Sequence, residues 1–167
     1  MSTLLIAAAP SIGPAAPAQA ALPGWAWPLK PPLAVIHPFI APLNDYGTGH
    51  RGIDLLAVPG STVHAPDDGV VHYAGMVAGR PVLSIAHAGG TLSSFEPVAT
   101  ELLAGAAVRQ GEAIGWTVES PAAHCAQGCL HFGVRRNGQY VSPLNYLGGI
   151  PPSVLLPTRP IADRARG

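Results

Sequence analysis

Short apolar runs recur along the middle of this 167-residue chain, each bounded by residues that turn the backbone. They fall at 62–65, 69–74, 81–87, 91–95, 113–118, 130–136 and 139–141. Runs of this length, rich in β-branched and aromatic residues, predict strands rather than helices. Pro59-Gly60, Asp67-Asp68-Gly69, Gly89-Gly90 and Asn137-Gly138 supply the turns between them. Asn137-Gly138 is the strongest hairpin signal, because both central positions of a tight hairpin turn take positive φ and Asn-Gly accepts it. From position 129 to 134 the alternation sends Leu130, Phe132 and Val134 to an apolar side and Cys129, His131 and Gly133 to the other. One short helix is predicted near 99–103. Taken together the pattern predicts an all-β, mainly antiparallel domain with a single core.

Composition removes two classes of partner. Nine Lys and Arg balance nine Asp and Glu, and with 11% charged residues there is no basic run to hold a phosphate backbone or an anionic membrane. Nucleic acid is therefore excluded as the expected partner. The 48% hydrophobic content is mostly Ala, Val and Leu, interrupted by 20 Gly and 19 Pro, so no membrane span is expected in the mature chain.

The ends of the chain read differently from its middle. Residues 1–20 carry an apolar stretch at 4–9 followed by Ala18-Gln19-Ala20, the pattern of a secretory signal peptide and its cleavage site. No Lys or Arg precedes Leu4, and Pro10 and Pro14 interrupt the region, so a flexible Ala-Pro segment is the competing reading. Residues 21–38 are rich in Pro and Trp and predict an extended strap, with Trp25 and Trp27 packing onto the domain. The β domain is expected at 39–148 and a C-terminal tail at 149–167. The expected location is secreted or in the cell envelope.

The chain has two cysteines, Cys125 and Cys129, with Gly128 in the loop between them. In an oxidising compartment such a pair closes a small disulfide; joined with His124 and His131 it would instead be a set of soft metal ligands. Export favours the disulfide.

His50 and Asp54 in GHRGID, together with His131 in CLHFGVR, form a divided metal signature. Two imidazoles and a carboxylate are three of the four ligands zinc usually takes, and an open fourth position distinguishes a catalytic zinc from a structural one. Gly49 and Gly52 are expected to let the backbone bend so that His50 and Asp54 converge. His64 and His72 are expected to face solvent, His87 to hydrogen-bond at a strand end, and His37 to sit in the strap before a proline. Tyr46 reads as a loop aromatic. Arg135 and Arg136 read as solvated charges beside a turn, with attraction of peptide carboxylates as the functional alternative.

From position 49 to 147 the chain resembles the lysostaphin-type zinc metallopeptidases, on the passages GHRGIDLLAVPGSTVHAPDDGVV, RPVLSIAHAGGTLSSF, VRQGEAIGW and CLHFGVRRNGQYVSPLNYL. The resemblance implies an antiparallel sheet core, of the duplicated hybrid motif kind, with a groove across it. It also implies zinc held by His50, Asp54 and His131, and cleavage of cross-link or stem peptides of bacterial peptidoglycan.

Two positions depart from that family's pattern. Cys129 stands where the first histidine of an H-x-H pair is expected, and Pro97, after Phe95-Glu96, stands where the histidine of a Y-x-H segment is expected. Loss of proton transfer costs on the order of 10²- to 10⁴-fold in rate. His124 and Glu96 are the candidate replacements. In a regular strand Glu96 lies on the face opposite Phe95 and Pro97, so it does not simply take over the family's position. A thiolate at Cys129 can ligate metal or accept a proton, whereas a disulfide sulfur does neither. The preferred reading is an exported zinc peptidoglycan endopeptidase. Its rivals are a zinc-binding pseudoenzyme that binds wall peptides or regulates another cell-wall hydrolase, and a β-rich carrier or structural module.

Overall fold

The computed structural model describes residues 24–44, 47–120, 125 and 127–148. The leader at 1–20 and the tail at 149–167 lie outside these residues. Among the described residues eleven strands are formed: β1 Val35–His37, β2 Gly52–Leu56, β3 Thr62–His64, β4 Gly69–Val77, β5 Arg80–His87, β6 Thr91–Glu96, β7 Val98–Ala99, β8 Ala107–Val108, β9 Ala113–Thr117, β10 Cys129–Arg136 and β11 Gln139–Val141. The large sheet runs in the order β1-β2-β10-β6-β5-β4-β8, with every pair antiparallel, and β3-β9-β7 form a smaller sheet. β6 occupies one edge of β10, so β2 and β11 share the other, pairing with 129–133 and 134–136 in turn.

All seven runs predicted as strands are strands. The helix expected near 99–103 is absent; β7 pairs with β9 there and the chain then turns. Thr100 accounts for the difference. Its Oγ1 donates to the carbonyl of Ile114 at 2.6 Å and accepts from the Leu102 N–H at 3.0 Å, diverting backbone groups a helix would need. The bend expected around Gly52 is also absent, since Gly52 opens β2, a strand buried along Gly52–Asp54 and Leu55.

The apolar side of β10 makes the core. Leu130, Phe132 and Val134 are fully buried with Ile53, Leu55, Leu83, Ile85 and Phe95, and the Phe95 and Phe132 rings stack at 5.2 Å between centroids. The strap joins this core through Trp25, which is buried against the rings of His87 and Tyr146 at 4.6 and 4.7 Å and bridges to Leu147. A buried Trp of this kind typically contributes about 3–5 kcal/mol relative to Ala.

His87 is a buried polar member of this packing. Its Nδ1–H donates to the Asp68 carbonyl at 2.8 Å, which leaves Nε2 of the neutral ring to accept from the Ser93 hydroxyl at 2.8 Å. Burial lowers its pKa below the ordinary histidine value, and the hydrogen bond to Asp68 and the charges of Asp67 and Asp68 oppose this without reversing it. Burial likewise lowers His64. A depressed folded-state pKa means that the unfolded chain takes up the proton first, so this stability is present above about pH 6.5 and is lost as pH falls toward the folded value. Urea unfolding between about pH 7.5 and 5 is expected to show stability falling with acidification, and His87→Gln to flatten that slope. An unchanged slope in the variant would assign the titration elsewhere.

Candidate metal centre

Four neighbouring strands carry a single row of ionisable side chains across the large sheet. His37 of β1 is in register with Asp54 of β2, Asp54 with His131 of β10, and His131 with Glu96 of β6. Directly opposed residues share a face, so the row lies together on the side away from Phe95 and Phe132. Asp54 is fully buried within it.

Three imidazoles surround that carboxylate. His131 Nδ1 is 2.8 Å from Oδ1, His50 Nε2 is 3.0 Å from the same oxygen, and the two ring nitrogens are 3.1 Å apart. On the other oxygen, Oδ2 accepts from His37 Nδ1–H at 2.9 Å. His50 lies just before β2 and is held by the end of the strap and the residues that follow it. Its backbone bridges to Ile40 in both directions, and its Nδ1–H donates to the Pro38 carbonyl at 2.7 Å. A carbonyl only accepts, so this bond fixes the tautomer of a neutral His50 and turns the Nε2 lone pair toward Asp54.

The chemistry of this donor set fits a cation. Two lone pairs facing each other at 3.0 Å across His50 Nε2 and Asp54 Oδ1 repel unless positive charge lies between them. Nitrogen and oxygen ligands about 2.0–2.2 Å from a tetrahedral zinc lie roughly 3.3 Å from one another, close to the separations in this trio. His37, Asp54 and Cys125 form a second close group, with Cys125 Sγ 3.7 Å from Oδ2. Cys125 is bonded to Cys129 in a disulfide, so that sulfur is no thiolate ligand.

Gly52 makes room for the site. A Cβ there would lie 2.8 Å from both Cε1 and Nε2 of the His131 ring and would also meet the Phe132 carbonyl. Its role is close approach rather than the chain flexibility expected from the sequence.

Among the remaining candidates, Glu96 stands on the groove face beside His131, while Phe95 points into the core. Arg80 Nε donates to Glu96 Oε2 at 3.1 Å. Cys129, locked in its disulfide, has no thiol to accept a proton, and Pro97 lines a separate cleft beside that disulfide. His124 and Tyr46 lie outside the described residues. His72 is exposed, as expected, but lines the groove. His37 is the site residue that sequence reading missed. It is 17 positions from Asp54, and only the β1–β2 register, through a bulge, brings them together.

The row borders a groove of about 610 Å³ that includes His50, Arg80, Glu96, His131, Arg135 and Tyr140. This is within the usual range of ligand-binding clefts. Residues 48–143, more than half of the chain, match the family model Peptidase family M23. The chain belongs to this family. It is a lysostaphin-type M23 member with the all-β fold of that group, and its matched region begins after His37, Pro38 and Ile40.

An uncharacterized protein of Mycobacterium tuberculosis is 40% identical over 141 residues, covering 82% of this chain and 57% of the relative. The DD-carboxypeptidase/endopeptidase Mpg of Neisseria meningitidis is 35% identical over 122 residues, 70% of this chain and 25% of that protein. The chain thus spans little more than half the length of the first and a quarter of the second. Among solved structures, a zinc containing peptidase from Vibrio cholerae superposes with a TM-score of 0.61 at 18% identity, over 72% of this chain and 39% of that one. The catalytic domain of lysostaphin from Staphylococcus simulans does so with a TM-score of 0.58 at 20% identity, over 68% and 90%.

Gly52→Ala in this M23 domain is expected to displace the His131 ring and to destabilise the fold by about 1–3 kcal/mol, the usual cost of overpacking. Chemical denaturation reads the second effect and the imidazole resonances of His131 the first. Wild-type stability with unmoved resonances would refute the close-approach role.

Proposed function

We propose that this chain is a zinc-dependent hydrolase of peptidoglycan peptides that acts in the cell envelope after export. The observation that carries the reading is the convergence of His50 Nε2, Asp54 Oδ1 and His131 Nδ1 within 3.1 Å of one another. It is supported by membership of a peptidase family and by the zinc containing peptidase of the same fold. No helix among the described residues is long and apolar enough to cross a membrane.

In this reading His50, Asp54 and His131 hold the ion. Zinc bound there supplies Lewis acidity, activating water for attack and polarising the peptide carbonyl. The protein residues do the rest. His37 holds Asp54 Oδ2, which keeps Oδ1 turned toward the two ligand imidazoles, and Pro38 holds the far nitrogen of His50. Such outer hydrogen bonds orient ligands, and losing one typically costs about 10- to 100-fold in metal affinity. Glu96, on the same face as His131 and positioned by Arg80, moves the proton between the attacking water and the leaving nitrogen. His124 is the other candidate for this task.

A second reading is favoured by one specific observation. Cys129 is closed in a disulfide and Pro97 carries no titratable group, so neither position supplies the proton-transfer histidine of the family pattern. The chain would then be a zinc-binding pseudoenzyme that binds wall peptides or regulates another cell-wall hydrolase.

Metal analysis of the purified protein and cleavage of defined cross-linked muropeptides separate the two. The enzyme reading predicts one zinc per chain, loss of metal and turnover in His131→Ala, and a fall of about 10²-fold or more in kcat for Glu96→Gln with zinc retained. Stoichiometric zinc without turnover supports the pseudoenzyme. Absence of zinc under non-chelating conditions contradicts both. His37→Ala is expected to weaken zinc binding about 10-fold or more in a chelator competition, with His72→Ala unchanged.

A further inference from the structure

Acidic and basic residues balance overall, nine against nine, yet the described residues lining the groove include Arg51, Arg80 and Arg135 and one acid, Glu96. Arg80 engages that acid at 3.1 Å. At the other end of the groove the Arg51 and Arg135 guanidinia approach the Tyr140 ring, with Cζ 5.6 and 5.4 Å from its centroid. Among the described residues Arg135 makes no ion pair.

Register shows what lies between this end and the metal centre. Arg135 is four residues beyond His131 on β10, about 13 Å at the rise of a strand. Between them stands Gly133, opposite Ser94, which is in turn opposite Ser84. Ser94 and Ser84 line the groove, so this stretch offers hydroxyls and little side-chain bulk. Leu92, opposite Arg135, adds an apolar surface at the far end. An extended peptide rises about 3.3–3.6 Å per residue, so one lying along this trough reaches Arg135 about four residues from the metal centre.

We infer that Arg135, held against the Tyr140 ring, forms a subsite for a free carboxylate of the bound peptide, at about 13 Å from the metal centre. A guanidinium offers a planar fork of donors that matches a carboxylate, and the aromatic face limits the positions the side chain takes. Arg136, the next residue along β10, points to the opposite face and takes no part. The subsite rests on the groove of the proposed hydrolase holding a peptide, and it adds which chemical feature of that peptide is read.

The test uses the full chain, with a peptidoglycan stem tetrapeptide carrying its free carboxylates and the same peptide with those carboxylates amidated. Binding is followed by isothermal titration in zinc-loaded and metal-free protein, with zinc content measured on the same samples. The free acid is expected to bind about tenfold more tightly than the amide. Arg135→Gln is expected to abolish that preference while leaving zinc content unchanged, and Arg136→Gln, which removes the same charge from the neighbouring position, to retain it. Equal binding of acid and amide, no binding of either, or equal loss in both variants would overturn the subsite. Acid preference in a protein that takes up no zinc would sink the metal reading and leave the subsite standing; stoichiometric zinc without acid preference would do the reverse.

Discussion

A carboxylate with no exposure to water sits in the middle of the large sheet, and the surrounding structure is arranged to satisfy it. An ionised group in that position is costly unless it is paired and hydrogen-bonded, and removing one partner of a buried charge typically costs about 3–5 kcal/mol. Asp54 meets the requirement by dividing its oxygens. One faces His131 and His50, and the other accepts from His37. The first oxygen and its two imidazoles are the proposed ligand set, and the second contact fixes the plane of the carboxylate. Because the three rings come from β10, from the approach to β2 and from β1, the sheet must close in register before the centre exists.

The strap is therefore more than an ornament on a family domain. His37, Pro38 and Ile40 precede the region matched to M23, yet they hold Asp54, the far nitrogen of His50 and the His50 backbone in turn. The same logic extends to the disulfide, which ties the loop before β10 to the strand that carries His131. That bond withdraws Cys129 from acid–base chemistry, and it leaves Glu96 as the titratable residue beside His131 among the described residues of the β6–β10 ladder.

Much of this was legible in the sequence, for identifiable reasons. β10 alternates cleanly, so the apolar set and the face of His131 are readable from the sequence alone. Parity also placed Glu96 opposite Phe95; what it lacked was the knowledge that Phe95 enters the core, which puts Glu96 in the groove. β2 was harder, since it is buried on both faces and begins with glycine, so its residues show no alternation to read. His37 left no trace, because its contact with Asp54 arises from cross-strand register at a bulge rather than from spacing along the chain. The helix expected near 99–103 failed on a single side chain, Thr100, whose hydroxyl bonds locally to backbone groups.

X-ray absorption at the zinc edge of the zinc-loaded protein tests the central claim most directly. Two imidazole nitrogens and a carboxylate oxygen at about 2.0–2.2 Å, with no sulfur near about 2.3 Å, are the shell that His50, Asp54 and His131 would supply. A sulfur ligand, or a shell with fewer than two imidazoles, would contradict the account.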